Sequence, residues 1–328
     1  MDKFPISACS LEKFYYINGD QLERQYKDHL SGYRTWSERE HAHEWLVFPE
    51  NVGPRMSIDE TEATNGEVYT VLTNKDAKGK RGVLLTAIIK GTKSEVVEEA
   101  LERIPEEVRA KVEEITLDLS PSMRHIALWE FTGAKRVIDR FHVQKLAYDA
   151  IQEMRIAHRW EAIREDNARL KHNRETGENI QAEKFPNGDT RKQLLARSRY
   201  LLFKPVNRWT ESQHERAKIL FEQYPDISEA HDLTHQLRVI FNSCTSKGSA
   251  YLKLALWYNR VEKSGFESFG TIAETIREHY DEIANYFNTR ATNASAEAFN
   301  HKIKTFRAQL RGVYDVNYFF FRLANIYA

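Results

Sequence analysis

Three acids stand out for where they fall. Asp59 follows the run Met56-Ser57-Ile58, Asp118 follows Ile115-Thr116-Leu117, and Glu297 sits in a stretch whose other charges are basic. Each aspartate ends a segment with strand character, and a strand end is a rigid platform for a carboxylate. Carboxylates brought together repel: two like charges ~4 Å apart cost roughly 4 kcal/mol at an effective dielectric near 20. Such a cluster is tolerable when divalent metal neutralises it, and hard oxygen ligands select Mg²⁺ or Mn²⁺. Two such ions about 3.5–4 Å apart activate a water or a 3′-hydroxyl and stabilise the leaving oxygen of an in-line phosphoryl displacement. Taken singly, each Asp reads equally as a turn residue or helix cap, and Glu297 as an acid favoured near a helix N-terminus by the helix dipole.

The elements that must position these acids are legible from the pattern. Residues 1–50 read as a small helical lead-in. Residues 55–59, 67–73 and 82–89 are β-rich and joined by short turns, which predicts an antiparallel meander. Residues 92–103 show helical spacing, with Val96, Val97, Ala100, Leu101 and Ile104 to one side. A fourth strand covers 114–118, and Ser120-Pro121 opens a helix with proline in its first turn. A fifth strand covers 135–139, with a helix from Phe141. The order β-β-β-α-β-α-β-α predicts an α/β fold with a ribonuclease H-like mixed sheet. Strand signals then vanish, which predicts an all-α insertion over 146–285 that interrupts a catalytic domain built from 51–145 and 286–328. Within the insertion, 144–170 reads as a long helix and 171–189 as a polar loop. The last helix starts near Thr292–Ser295, with Phe299, Ile303, Phe306 and Leu310 as one apolar stripe. Glu297, Lys304 and Arg311 share another face, with Asn300 and Arg307 close to it.

Bulk properties set limits. The chain has 328 residues with 41% hydrophobic and 29% charged, enough for a sizeable core. No apolar run approaches the ~18–20 residues of a membrane span. Its two cysteines, Cys9 and Cys244, exclude a disulfide framework or a cysteine-pair zinc ribbon and fit a reducing, cytoplasmic setting. The net charge is zero, but it is segregated. Residues 186–210 carry six Lys or Arg against one acid, and 290–312 carry five against Glu297 alone. Two basic surfaces able to meet nucleic acid are therefore expected. In the first, Arg191, Lys192, Arg197, Arg199, Lys204 and Arg208 are candidates for phosphate contact. Trp209, next to them, either stacks on an unpaired base or fills a core. In the second, the candidates are Asn300, Lys304, Arg307 and Arg311.

Four local sequences carry a resemblance. Ser57-Ile58-Asp59-Glu60-Thr61, Thr116-Leu117-Asp118-Leu119-Ser120-Pro121-Ser122, Val137-Ile138-Asp139-Arg140-Phe141-His142-Val143 and residues 292–304, Thr-Asn-Ala-Ser-Ala-Glu-Ala-Phe-Asn-His-Lys-Ile-Lys, resemble in order the motifs of the DDE transposases of the ISL3 insertion-sequence family. The resemblance runs from about residue 45 to the C-terminus. It implies a ribonuclease H-like core, a helical insertion before the final Glu, and DNA cleavage and joining with Mg²⁺ or Mn²⁺, two ions per site. Motif by motif, Asp59, Asp118 and Glu297 are the catalytic, metal-binding acids. Asp139 and His142 form an Asp-x-x-His that resembles a pattern of several transposase superfamilies, and they are expected to support the site or the DNA rather than hold metal. Double-stranded DNA is the implied partner, with a homodimer on paired ends and a bacterial, nucleoid-associated location. Family members usually carry an N-terminal zinc-binding segment and a helix-turn-helix. Their absence here predicts a separate DNA-binding subunit or a shortened chain.

Two rival functions share these features: a metal nuclease of the same fold that cuts without joining, and a non-enzymatic DNA-binding protein derived from a transposase. An intact acid triad argues against the second, because binding DNA needs no acids facing it. His231 and His235 have i, i+4 metal-like spacing but lack a metalloprotease Glu or an obvious third ligand, so a solvated helix face is expected.

Overall fold

The computed structural model describes residues 1, 3–64, 66–79, 82–310 and 313–328. The chain divides into two compact units, 1–139 with 289–328, and 140–288. The first begins with helices α1 (Ala8–Tyr15) and α2 (Gly19–Gln25). Its strands are β1 (Trp45–Val47), β2 (Arg55–Thr64), β3 (Glu67–Gly79), β4 (Gly82–Lys90), β5 (Glu114–Leu117) and β6 (Lys135–Ile138). Between them lie α3 (Ser94–Leu101), α4 (Glu106–Arg109) and α5 (Pro121–Glu130). They form one mixed sheet in the order β1-β4-β3-β2-β5-β6. β2, β3 and β4 make the antiparallel meander, β5 and β6 run parallel to β2, and β1 adds antiparallel to β4.

β2 does not stop at Asp59 but continues to Thr64, because β3 is long enough to pair with it throughout and Asp59 lies opposite Val71. Asp118, in contrast, directly follows the last residue of β5. β1 and α4 were too short to carry a periodic signal.

Both sheet faces are covered, as strands with parallel neighbours require. On one face Met56, Ile58, Leu72, Ala87, Ile115 and Leu117 pack against Val97, Ala100 and Leu101 of α3 and Met123, Ile126 and Ala127 of α5. Pro121 at the first position of α5 costs no hydrogen bond there. The other face takes the two closing helices, α13 (Ala294–Gln309) and α14 (Val316–Tyr327). Phe299, Ile303, Phe306, Phe319 and Phe320 cluster with Ala63, Tyr69, Val71, Leu85 and Ile88, and Leu310 packs at the margin. Fully burying a side chain of this size contributes about 1.5–3 kcal/mol, so this stripe fixes α13 on the sheet.

The second unit is helical: α6 (Arg140–Thr176), α7 (Arg191–Arg197), α8 (Glu211–Gln223), α9 (Pro225–Ser243), α10 (Lys247–Ser264), α11 (Glu267–Glu278) and α12 (Tyr280–Thr289). The chain then returns to the first unit with α13 (Ala294–Gln309) and α14 (Val316–Tyr327). α6 runs further into the polar stretch than periodicity suggested, with a Lys171–Glu175 i, i+4 pair at 3.7 Å along its final turns. Trp257 is fully buried in this unit and donates its indole N–H to the Leu233 carbonyl at 2.9 Å. Among the described residues no helix is long and apolar enough to cross a membrane.

His231 and His235 are not on a solvated face. His231 is buried, and its ring lies 4.2 Å from that of His235 and 5.4 Å from each of Trp209 and Phe221. The i, i+4 spacing sits on the packed side of α9, beside Leu233, Thr234 and Leu237, which are buried.

Candidate active site

Strand register decides which side chains meet. Ser57 of β2 pairs with Thr116 of β5, and Thr116 with Val137 of β6. Two residues further along each strand stand Asp59, Asp118 and Asp139. The side-chain period of two keeps all three on the face of the preceding row. Neighbouring strands lie about 4.7–4.9 Å apart, so the aspartates form a row across three parallel strands. The β5–β6 ladder continues to this level, since the Asp139 N–H donates to the Leu117 carbonyl at 2.9 Å.

Each acid is held differently. Asp59 accepts the Glu60 N–H at 2.9 Å through Oδ1 and the Asn300 amide at 2.8 Å through Oδ2. Asp118 accepts the Ser120 N–H at 2.7 Å, which turns the chain into α5. Asp139 is buried, and its Oδ2 accepts the backbone N–H of Asn293 at 3.0 Å. Glu297 is exposed in the first turn of α13, with an oxygen within 4.8 Å of one from Asp139. Partial desolvation, and after it the charges of Asp118 and Asp59, raises the Glu60 carboxyl above its usual range. The carboxylate oxygens of this row are hard donors, which suit a divalent cation such as Mg²⁺ or Mn²⁺.

α13 is fixed to the acid row by two asparagines. Asn293, at its N-cap, makes no side-chain cap; its amide donates to the Ile58 carbonyl at 3.2 Å and accepts the Ser57 hydroxyl at 2.9 Å. Asn300 donates to Asp59 and, at 3.3 Å, to the Glu60 carbonyl. Behind the row, on the same face, the largely buried Lys75 amine reaches Glu114 at 3.2 Å and the Thr116 hydroxyl. Burial pulls its pKa down, against the pull of Glu114. Sequence reasoning missed the roles of Asn293 and Lys75. The strand alternation Val71, Thr73, Lys75 was the signal available for Lys75.

His142 is in the first turn of α6, three residues after Asp139. Arg191 holds both Glu165 oxygens at 2.7 Å, Lys192 holds Asp166 at 2.7 Å, and Arg197 and Arg216 share the buried Asp189. Arg199 is exposed beside the Tyr200 ring, Arg208 is exposed, and Lys204 lies 3.5 Å from the Gln213 side chain. Trp209 donates its indole N–H to the Leu201 and Lys204 carbonyls at 2.9 and 3.1 Å and packs against His214 and His231. On α13, Lys304 is exposed and Arg307 pairs with Glu62 at 2.6 Å, which holds the Glu62 carboxyl below its usual range. Arg311 lies outside the described residues.

Comparison with known families adds one match. The family model for ISL3-type DDE transposases, described as Transposase, covers residues 56–323. No curated protein matches the chain.

Proposed function

The chain belongs to the ISL3 family of DDE transposases, and on that premise we propose that it cuts insertion-element ends and joins them to target DNA with Asp59, Asp118 and Glu297 as its catalytic acids. The supporting observation is the in-register neighbourhood of Asp59 and Asp118, with the helix of Glu297 hydrogen-bonded to the same strand. The domain reading is a ribonuclease H-like catalytic core from 51–145 and 286–328 around an all-α insertion. Two Mg²⁺ or Mn²⁺ ions held by the three acids would supply nucleophile activation and leaving-group stabilisation. The protein's own part is to hold its carboxylates in place before the ions arrive. Asp59 is oriented by Asn300, Asp118 by the turn at Ser120, and Glu297 by the anchoring of α13. Asp139 acts as an accessory residue, since it holds the start of α13 through the Asn293 N–H. His142 is assigned a supporting role beside it. Partners on this reading are double-stranded DNA, a second copy of the chain on paired ends, and a separate end-binding subunit, in the nucleoid of a bacterial cell.

Strand transfer is the discriminating test. With element-end DNA, Mg²⁺ or Mn²⁺ and any required partner supplied, the chain should both nick the ends and join them to target DNA. Cleavage without joining would favour the nuclease reading. Binding without either would favour a DNA-binding derivative.

Phosphate contact falls to the cations that carry no acid partner among the described residues. Arg191, Lys192 and Arg197 are already neutralised by neighbours, so Arg199, Lys204 and Arg208 are the better candidates. Replacing all three with Ala should flatten the dependence of log Kd on log salt by up to about three units, near 0.9 per phosphate contact. A slope that does not move places this surface away from DNA.

A further inference from the structure

Glu297 is bracketed by Asn293 and Asn300, which stand seven residues apart, two helical turns, and so share one face of α13 with it. Both are buried, at 0% and 7% exposure, and both bond to β2 within residues 57–60. We propose that Asn300 is a positioning residue of the metal site, fixing the Asp59 carboxylate and, with Asn293, the helix that carries Glu297. This rests on the metal-site reading above and replaces a DNA-contact role for Asn300.

The orientation of the Asn300 amide is set by its surroundings. Its nitrogen faces two acceptors, Asp59 Oδ2 and the Glu60 carbonyl; turned over, its oxygen would oppose both. A neutral donor orients Asp59 without cancelling its charge, as a Lys or Arg at this position would. The Asn300 Oδ1 is buried and has no hydrogen-bond partner among the described residues. An unpaired buried acceptor opposes folding, so what the amide contributes here is the pair of bonds from its nitrogen to Asp59 and Glu60. Its burial also keeps it from a phosphate backbone, which must be met at the surface.

Outer partners that orient metal ligands typically change metal affinity 10–100-fold when removed. Asn300→Leu, compared with wild type and Asp59→Asn, should bind Mn²⁺ about 10–100-fold more weakly by calorimetry. It should keep wild-type affinity for DNA in metal-free buffer within about twofold. Asn300→Ser is read in the same way should the leucine variant lose its folded circular dichroism spectrum. Wild-type Mn²⁺ affinity in the folded Asn300 variants, with Asp59→Asn impaired, overturns the positioning role and leaves the metal site standing. Weakened DNA binding with normal Mn²⁺ affinity makes Asn300 a DNA contact and also overturns it. A wild-type chain that takes up no Mn²⁺ ends both readings.

Discussion

Asp118→Asn is expected to abolish strand cleavage, on the order of 10³-fold or more, the scale on which removal of a preorganised electrostatic group acts. DNA binding should be retained, because the proposed phosphate contacts lie elsewhere. The substitution is well suited to the site. Asn keeps an Oδ1 that can accept the Ser120 N–H, so the turn into α5 is preserved. It removes one charge from a register neighbour of Asp59 and lifts the repulsion felt at Glu60. Without metal the mutant should therefore melt at the same or a higher temperature. With metal the order reverses. A ligand at a hundredfold excess over its dissociation constant stabilises by about 2.7 kcal/mol, or on the order of 5–10 °C for a unit of this size. Wild type should gain that much with Mn²⁺ and the mutant clearly less. Melting curves with and without Mn²⁺, beside a cleavage assay, decide it. If Asp118→Asn cleaves like wild type, Asp118 is only the residue after a strand.

The strands were legible where composition and periodicity agreed. β4 is a nearly continuous apolar run, and β5 is short, apolar and bounded by turns, so both read directly. The extension of β2 past Asp59 was not legible. Thr61, Glu62 and Thr64 carry no apolar alternation, and they are in the strand because β3 lies opposite. The acids could be picked out because Asp after an apolar run is a local pattern. Their mutual placement is a matter of register, which a single sequence does not state.

Asn293 shows the same limit more sharply. A residue of good capping type at a helix start reads as a cap, yet its side chain bonds to β2 and leaves the cap role unfilled. Charge counting over 186–210 found the basic residues but not their partners. Glu165 and Asp166 come from α6, and Asp189, the acid inside the counted stretch, sits under two arginines. A local six-to-one bias thus becomes far smaller once the fold is formed.

Acid should loosen α9 well before it affects the carboxylate pairs of the same unit. Burial, then the neighbouring His231, lowers the His235 pKa from 6.5 to about 4; Arg238 acts in the same direction and Asp232 against it. Burial also lowers His231. The folded state therefore refuses a proton that the unfolded chain accepts. Stability from this site is complete above about pH 6.5, falls as the pH drops, and is fully lost near pH 4. The shift corresponds to about 3 kcal/mol at most, and roughly 2 kcal/mol by pH 5. Asp166, whose pKa is lowered by Lys192 and Arg169, loses its contribution only below the usual carboxylate range, so the windows separate. Hydrogen exchange of α9 amides, corrected for intrinsic rates, should show the opening free energy falling by about 2 kcal/mol between pH 7 and pH 5. His235→Phe keeps an aromatic ring against Tyr148 and His231 but has no site for the proton. Most of the pH dependence should vanish in that variant, leaving the smaller part due to His231. An equal fall in wild type and His235→Phe would assign the acid sensitivity to other groups.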